Sequence, residues 1–223
     1  MPNIDLQSVP SDPLERVLNH EDLHLDPFNQ FKKWMDKAWH EGVFEPTAMC
    51  LATTDAQGQP HNRMLNLKTL DDKGFVFFTH YNSPKAQDLV HNPKASILFY
   101  WPQLKRQVRI EGIVEKISPE ESQSFFTSQP FETQLALLSS HQSEPVPGRK
   151  TIELNFLLTQ AEQQGSKLHC PDTWGGYCLK PHLFEFLQRR AHQMDDRFVY
   201  QKAAKNNLAS GHAEHWLISR LAP

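Results

Sequence analysis

Two short segments of the sequence carry cationic side chains, and the second of them also predicts the start of a helix. Arg63 and Lys68 lie in the segment NRMLNLK, and Lys85 follows the serine and proline of SPKAQDL. Serine before proline predicts a helix start with Ser83 as the capping hydroxyl, and the free N–H groups and dipole of such a start favour an anion. We therefore predict that Arg63, Lys85, the Ser83 hydroxyl and this helix start bind a phosphate group.

Four further segments carry side chains suited to contacting a flat, polar ring. Trp174 precedes two glycines, which permit close backbone approach, but a buried core tryptophan fits the same pattern. Arg197 follows two aspartates, a pattern that is equally compatible with an ion pair in a hairpin turn. Gln107 and Gln142 carry amides that can bind the donor and acceptor edge of a heterocycle.

The period of the hydrophobic residues indicates which elements position these side chains. Asp26-Pro27 opens a stretch with helical spacing that Gly42 closes. Residues 47–117 then contain short runs rich in β-branched and aromatic residues, which predicts an antiparallel sheet of five or six strands. Such a sheet must curl or be covered to protect its edges, so we expect a small barrel.

The remainder of the sequence predicts helices followed by further strands. SPEE at 118–121 is a capping box, and helical spacing over 119–139 and 149–164 is interrupted at Gln129-Pro130. Strand patterns return after residue 174. We therefore predict one α+β domain over residues 26–223, preceded by a flexible arm over residues 1–25.

Composition argues against several classes of protein. The 223 residues include 23 Lys+Arg and 26 Asp+Glu, a formal net charge of −3, so we expect no affinity for nucleic acid or anionic membranes. No apolar run reaches the ~20 residues that cross a bilayer, and the N-terminus lacks the pattern of a signal peptide. Three cysteines without a CxxC motif indicate a reducing compartment and no metal site. We expect a cytoplasmic protein.

Taken together and in order, these motifs resemble the pyridoxamine 5′-phosphate oxidase family of FMN-dependent flavoproteins, including its relatives in phenazine biosynthesis. The resemblance runs from about Asp26 to the C-terminus and rests on DPFNQFKKW, EPTAMCLATTD, RMLNLK, KGFVFFT, SPKAQDL, NPKASILFYW, RQVRIEG, HQSE, WGG, DDRFVYQ and RLAP. It implies a mainly antiparallel split β-barrel with peripheral helices. It also implies a homodimer that assembles through about residues 174–223 and binds FMN between its subunits.

The resemblance implies particular flavin contacts. Arg63 and Lys85 would hold the phosphate, while Trp174 and Arg197 of the second subunit would flank the ring. Arg197 and Lys68 would be catalytic, because they would place positive charge near the reduced ring. The implied contacts are Arg63, Lys68, Phe78, Thr79, Ser83, Lys85, Gln107, Gln142, Ser143, Trp174 and Arg197. The chain departs from the family at Pro84, where arginine is usual, and at Phe78, where tyrosine is common.

The implied substrate site departs further from the family pattern. Its positions fall on Lys68, Phe125, Gln129, Thr133, Gln193 and Asp195. Neutral amides replace two arginines, a carboxylate replaces a histidine, and a phenyl ring replaces a phenol. Because a charge-assisted hydrogen bond is worth ~1.5–3 kcal/mol, losing two would weaken binding of a phosphate dianion by roughly 3–6 kcal/mol.

We therefore predict an FMN-dependent oxidoreductase that transfers a hydride from a small aromatic or heterocyclic donor to flavin N5 and then passes electrons to O2. We expect pyridoxine 5′-phosphate and pyridoxamine 5′-phosphate to be inefficient donors. Two alternatives stay open. In one, the protein is a functional pyridoxamine/pyridoxine 5′-phosphate oxidase in which His192, Arg189 or Arg190 replaces the missing cations. In the other, it binds flavin without catalysis.

Overall fold

The structure, a computed structural model, is described for residues 17–203 and 216–223. In this part of the chain five helices and nine strands alternate in an α+β arrangement. The helices are α1 (Pro27–His40), α2 (Pro84–His91), α3 (Pro119–Ser128), α4 (Phe131–Ser139) and α5 (Arg149–Glu162). The strands are β1 (Ala48–Thr54), β2 (Pro60–Asn66), β3 (Thr69–Leu70), β4 (Phe75–His80), β5 (Lys94–Trp101), β6 (Arg106–Lys116), β7 (Trp174–Gln188), β8 (Asp196–Lys202) and β9 (Trp216–Leu221).

Two of the three helix starts predicted from proline motifs are capped as expected. The Asp26 carboxylate accepts a hydrogen bond from the Phe28 N–H at 3.0 Å, and Ser118 and Glu121 form the reciprocal capping box. Helix α2 also starts after Ser83, but the prediction of a capping hydroxyl is wrong. The Ser83 hydroxyl instead donates to the carbonyl of His80 at 2.7 Å, which turns it away from the helix N–H groups.

The nine strands belong to one sheet, which joins the predicted strands of residues 47–117 to those that follow residue 174. Six strands lie between residues 48 and 116, within the predicted range. Strands β2, β1, β5, β6, β7, β4 and β3 are neighbours in that order, and β8 pairs with β7 and β9. The antiparallel register places Leu51 opposite Arg63 and Thr79 opposite Gly175, so residues far apart in sequence become neighbours.

The chain forms two compact units, each assembled from separate stretches of sequence. Within the described residues, the first unit comprises 17–47, 98–110, 182–203 and 216–223, and the second comprises 48–97 and 111–181. Aromatic rings dominate the core of the first unit, where the ring centroids of Phe31 and Phe99 lie 4.9 Å apart. In the second unit Phe126, Leu135, Leu168 and Trp174 form a buried cluster.

Part of the predicted N-terminal arm is held in place within the first unit. Leu18 is buried and its N–H donates to the Asp196 carboxylate at 3.0 Å, while the Tyr200 hydroxyl donates to the carbonyl of His24 at 2.8 Å. Residues 1–16 of the arm lie outside the described residues, and the boundaries of the predicted domain stay a prediction. None of the described helices combines the length and apolar character that a membrane crossing requires.

Candidate functional site

Lys85 is a buried cation in the first turn of α2, within the second unit. Its side chain approaches only uncharged acceptors, since Nζ lies 3.0 Å from Thr79 Oγ1, 3.0 Å from Ser83 Oγ and 2.9 Å from Gln142 Oε1. The residue is 6% exposed. Burial, together with the charge of Arg63, lowers the pKa of Lys85 from 10.5 to about 8. A desolvated ammonium beside a second cation is a position that a bound anion stabilises.

Arg63 lies on β2 and is fixed by acceptors from two strands. Its Nη1 donates to Thr53 Oγ1 at 2.7 Å, to the Leu51 carbonyl at 3.2 Å and to the His61 carbonyl at 3.1 Å. Its Nη2 lies 3.7 Å from the carboxylate of Asp88. Burial lowers the pKa of Arg63, and the negative charge of Asp88 opposes that effect. The guanidinium is therefore oriented before any ligand binds.

Asp88 is a member of the site that sequence reasoning missed. Its buried carboxylate accepts the Thr53 hydroxyl at 2.6 Å and lies 3.1 Å from His61 Nδ1. Burial raises the pKa of Asp88, but the hydrogen bonds from Thr53 and His61 and the charges of His61 and Arg63 outweigh burial and hold the pKa below its usual value. The available signal was a carboxylate three residues after Lys85, on the same side of α2.

Gln142 is the third acceptor that the Lys85 ammonium contacts. Its amide oxygen accepts both Lys85 Nζ and the Thr79 hydroxyl, each at 2.9 Å. The neighbouring Ser143 is exposed and has a φ of 71°, in the left-handed region. Thr79, Ser83, Lys85 and Gln142, four predicted cofactor-binding residues, thus form one hydrogen-bonded group.

Three aromatic rings, those of Phe78, Phe125 and Trp174, stack on one another in the second unit. The ring centroids of Phe78 and Phe125 are 3.8 Å apart at an interplanar angle of 12°, and those of Phe78 and Trp174 are 5.2 Å apart at 18°. Trp174 is 4% exposed and belongs to the buried cluster of Phe126 and Leu135. Within the single chain, Trp174 is therefore a buried core residue, which is one of the two interpretations that the sequence left open.

The two glycines after Trp174 are required by packing within the chain. A Cβ atom at Gly175 would overlap the Tyr81 hydroxyl, and one at Gly176 would overlap the side chain of Ile117. The groups that approach the backbone closely at these glycines are therefore the side chains of Tyr81 and Ile117.

The predicted substrate positions of the second unit present little positive charge. Phe125 is part of the aromatic stack, and the Gln129 amide donates to the Phe125 carbonyl at 3.3 Å and to Ser128 Oγ at 3.1 Å. Thr133 and Lys68 are exposed. Lys68 is the only cation among these four positions.

Arg197 lies in the first unit and is paired with a buried carboxylate. Its Nε and Nη2 donate to Glu185 Oε1 at 3.0 and 2.8 Å, and its Nη1 donates to the carbonyl of Ala222 at 3.1 Å. Glu185 is 4% exposed and also accepts Arg109 Nη2. Burial raises the pKa of Glu185, but the hydrogen bonds and charges of the two arginines outweigh burial and hold the pKa below its usual value.

The other predicted positions of the first unit lie on β6 and around the loop before β8. Gln107 is half-buried on β6, and Gln193 is exposed with a φ of 57°. The Asp195 carboxylate accepts the N–H of Arg190 at 2.8 Å. Arg190, His192 and Asp195 line a cleft of about 680 Å³, so two of the three proposed replacement cations reach this cleft.

Known protein families match both parts of the chain. Residues 35–161 match the family described as "Pyridoxamine 5'-phosphate oxidase", and residues 174–223 match "Pyridoxine 5'-phosphate oxidase C-terminal dimerisation region". The chain is 43% identical over 223 residues to pyridoxine/pyridoxamine 5′-phosphate oxidase 1 of Hydrogenovibrio crunogenus, with all of both chains covered. It is 42% identical over 210 residues to the corresponding oxidase of Microcystis aeruginosa, with 94% of each covered.

Solved structures show the same fold. PhzG from Burkholderia lata 383, solved in complex with tetrahydrophenazine-1-carboxylic acid, matches with a TM-score of 0.83 and 26% identity over 93% of this chain and 98% of PhzG. An FMN binding protein from Nostoc punctiforme matches with a TM-score of 0.68 at 18% identity, over 89% of this chain and 98% of that protein. The predicted α+β split-barrel fold class is confirmed. The chain belongs to the pyridoxamine 5′-phosphate oxidase family and is an oxidase of that family.

Proposed function

We propose that the protein is an FMN-dependent oxidase that holds the cofactor's phosphate between Arg63 and Lys85. The observation that carries this proposal is the buried ammonium of Lys85, whose three acceptors are all uncharged. An ammonium and an oriented guanidinium are two charged donors of the kind that bind a phosphate. Since Pro84 offers neither a cation nor an N–H, binding of the phosphate depends on these two cations.

The remaining cofactor contacts are proposed from family position. They are Lys68, Phe78, Gln107, Gln142, Ser143, Trp174 and Arg197. Bound FMN would supply the redox chemistry, taking a hydride from the donor at N5 and passing electrons to O2. Lys68 and Arg197 would stabilise negative charge that develops near them, and Glu185 fixes the orientation of the Arg197 guanidinium.

The assembly is proposed on the same basis. A region matching a dimerisation region covers residues 174–223, which supports a homodimer built through this segment. We propose a single cofactor-binding domain over residues 26–223 in a cytoplasmic homodimer.

For the hydride donor, we propose a flat aromatic or heterocyclic molecule with less negative charge than pyridoxamine 5′-phosphate. Phe125 has no hydroxyl to offer because phenylalanine replaces the usual tyrosine, and the Gln129 amide is hydrogen-bonded to the end of its own helix. Thr133 is exposed and uncharged, so Lys68 is the one cation among these four substrate positions. The PhzG complex supports the proposal, since that relative binds a monocarboxylic acid.

A second candidate is a functional pyridoxine/pyridoxamine 5′-phosphate oxidase. The curated relatives that are 43% and 42% identical carry this name, and they cover all or nearly all of the chain. Arg190 and His192 line the cleft of the first unit, but Arg190 lies 3.6 Å from the Asp196 carboxylate and is partly neutralised by it.

Peroxide release separates these candidates when pyridoxine phosphate, pyridoxamine phosphate and a panel of uncharged or singly charged aromatic donors are compared. We expect kcat/KM for the two phosphates to lie about two to four orders of magnitude below that for the preferred donor. Turnover of either phosphate at an efficiency equal to that of the best donor would contradict the preferred proposal. Slow reoxidation of photoreduced cofactor in air would instead favour binding without catalysis.

Restoring the family's charges tests the substrate positions directly. The triple variant Gln129→Arg, Gln193→Arg and Asp195→His should bind pyridoxal phosphate about 100-fold more tightly, because two charge-assisted contacts return. Gln160→Arg, which adds a cation on the exposed face of α5, is the matched control and should change nothing. An unchanged affinity in the triple variant would contradict the assignment of these positions.

A further inference from the structure

A buried carboxylate lies beside the two cations that are proposed to bind phosphate. Asp88 is 5% exposed and follows Lys85 by three residues on α2, so both side chains lie on one side of the helix. Its carboxylate is 3.7 Å from Arg63 Nη2. A negative charge at this position repels an anionic ligand, so its presence requires another explanation.

The hydroxyl of Thr53 supplies that explanation. A hydroxyl carries one proton, and the proton of Thr53 is donated to Asp88 at 2.6 Å. The lone pairs of the same oxygen are thereby directed to Arg63, whose Nη1 donates to it at 2.7 Å. The carboxylate, the hydroxyl and the guanidinium thus form a chain in which each bond fixes the direction of the next.

The same arrangement allows two like charges to remain close together. Burial lowers the pKa of Lys85, and the like charge of Arg63 lowers it further, because two nearby cations repel each other. Asp88 offsets part of the charge of Arg63 from the side that faces Thr53 and His61. Without it, the guanidinium would keep the uncharged acceptors Thr53, Leu51 and His61 but would lose its ion pair with the carboxylate.

We infer that Asp88 is a positioning residue that fixes the Arg63 guanidinium, directly and through Thr53, in the orientation that binds the phosphate of the cofactor. The inference rests on the proposed function. It predicts an effect opposite to that of simple charge repulsion: removing this carboxylate weakens binding of the phosphate instead of strengthening it.

The test compares FMN with riboflavin, which lacks the phosphate, by flavin fluorescence titration of the full-length protein. Wild type should bind FMN at least about 100-fold more tightly than riboflavin. Asp88→Asn should reduce this ratio about tenfold while riboflavin affinity stays within about twofold. Thr53→Val, which removes only the linking hydroxyl, should reduce the ratio in the same direction. In an Arg63→Ala background, Asp88→Asn should have no further effect on the ratio.

The control is Glu115→Gln, which removes the same charge from an exposed ion pair with Lys180 in the same unit. It should leave the ratio unchanged. Tighter FMN binding by Asp88→Asn, an equal loss of FMN and riboflavin affinity, or an undiminished effect without Arg63 would each overturn the inference while the proposed function stands. If Asp88→Asn does not fold, the Thr53→Val result decides. Equal affinity of the wild type for FMN and riboflavin would overturn the phosphate site itself.

Discussion

Two groups of cations, the Glu185 arginines of the first unit and Lys85 of the second, differ in the partners that the protein gives them. In the first unit Arg109 and Arg197 share the carboxylate of Glu185, so the protein gives both arginines a counter-charge. In the second unit Lys85 contacts only uncharged oxygens. A neutralised cation stabilises its own unit, whereas a buried cation without a counter-charge disfavours the ligand-free fold and gains from a bound anion. Arg197 is therefore held in position by a carboxylate of the protein, whereas Lys85 would receive its counter-charge from a bound ligand.

The largest expected effect is the loss of FMN affinity when the two cations of the proposed phosphate site are removed. Replacing both Arg63 and Lys85 with alanine should weaken FMN binding by roughly 3–6 kcal/mol, because two charge-assisted contacts to the phosphate are lost. Riboflavin affinity should change little. Flavin fluorescence titration measures both, and Lys180→Ala, an exposed cation of the same unit, is the matched control. Yellow colour that stays with the double variant through gel filtration would show that the phosphate binds elsewhere.

The next largest effect concerns the ion pairs of Glu185 with Arg109 and Arg197 in the first unit. Glu185→Gln should lower the free energy of unfolding by about 1–3 kcal/mol, because Arg109 and Arg197 lose a shared counter-charge but are partly screened by solvent. Urea unfolding measures the change. Glu115→Gln removes a carboxylate from an exposed pair and should cost less than about 0.5 kcal/mol. Equal losses of stability in Glu185→Gln and Glu115→Gln would show that the Glu185 pairs stabilise the fold no more than an exposed ion pair does.

The stability of the ligand-free protein should rise with pH in both units, but over a different pH range in each. Between pH 8 and 10.5 the unfolded chain keeps the Lys85 proton that the ligand-free fold has released, so the stability of the ligand-free protein rises with pH. FMN affinity should fall over the same range, because the phosphate binds the ammonium form. Glu185 has a lowered pKa, so its contribution to stability is present above pH 4.5 and is lost as the pH falls below that value.

Thermal unfolding with and without FMN from pH 4 to pH 10 measures these changes. Lys85→Arg keeps a cation at the site that does not titrate in this range, and it should remove the alkaline loss of FMN affinity. An identical alkaline decline in this variant would assign the titration to another group.

The smallest effect concerns the aromatic stack. Phe125→Tyr should keep the 3.8 Å stacking on Phe78 and change the free energy of unfolding by less than about 1 kcal/mol. Affinity for pyridoxal phosphate should rise less than about tenfold, since a single neutral hydroxyl is restored. Phe131→Tyr, on an exposed ring of α4, is the matched control. A gain as large as that of the triple arginine and histidine variant would place the missing determinant at this ring.

Local features of the fold were predictable from the sequence because their causes are local. The start of α1 at Asp26 and the capping box at Ser118 and Glu121 depend on residues at most three positions apart. The strand runs between residues 48 and 116 were visible as changes of period. The Ser83 cap was predicted wrongly, because the competing acceptor, the carbonyl of His80, depends on how the chain turns into α2.

The charge partners of the site were not predictable, because the fold brings them together from distant strands. Asp88 meets Thr53 across 35 residues, and Glu185 meets Arg109 across 76. Nothing in the spacing of these residues indicates such pairs. The cations Arg63, Lys85 and Arg197 could be selected by type and motif, but whether each one is neutralised by the protein depends on these long-range partners.

The glycines that follow Trp174 limit how this oxidase can diverge. Any side chain at Gly175 must displace Tyr81 or Ser122, and Ser122 lies on α3, the helix that also carries Phe125. A substitution at Gly175 would therefore press on the helix that carries Phe125. New donor preferences in this lineage are accordingly expected to arise through exchange of residues on the helix, while the glycine pair remains as it is.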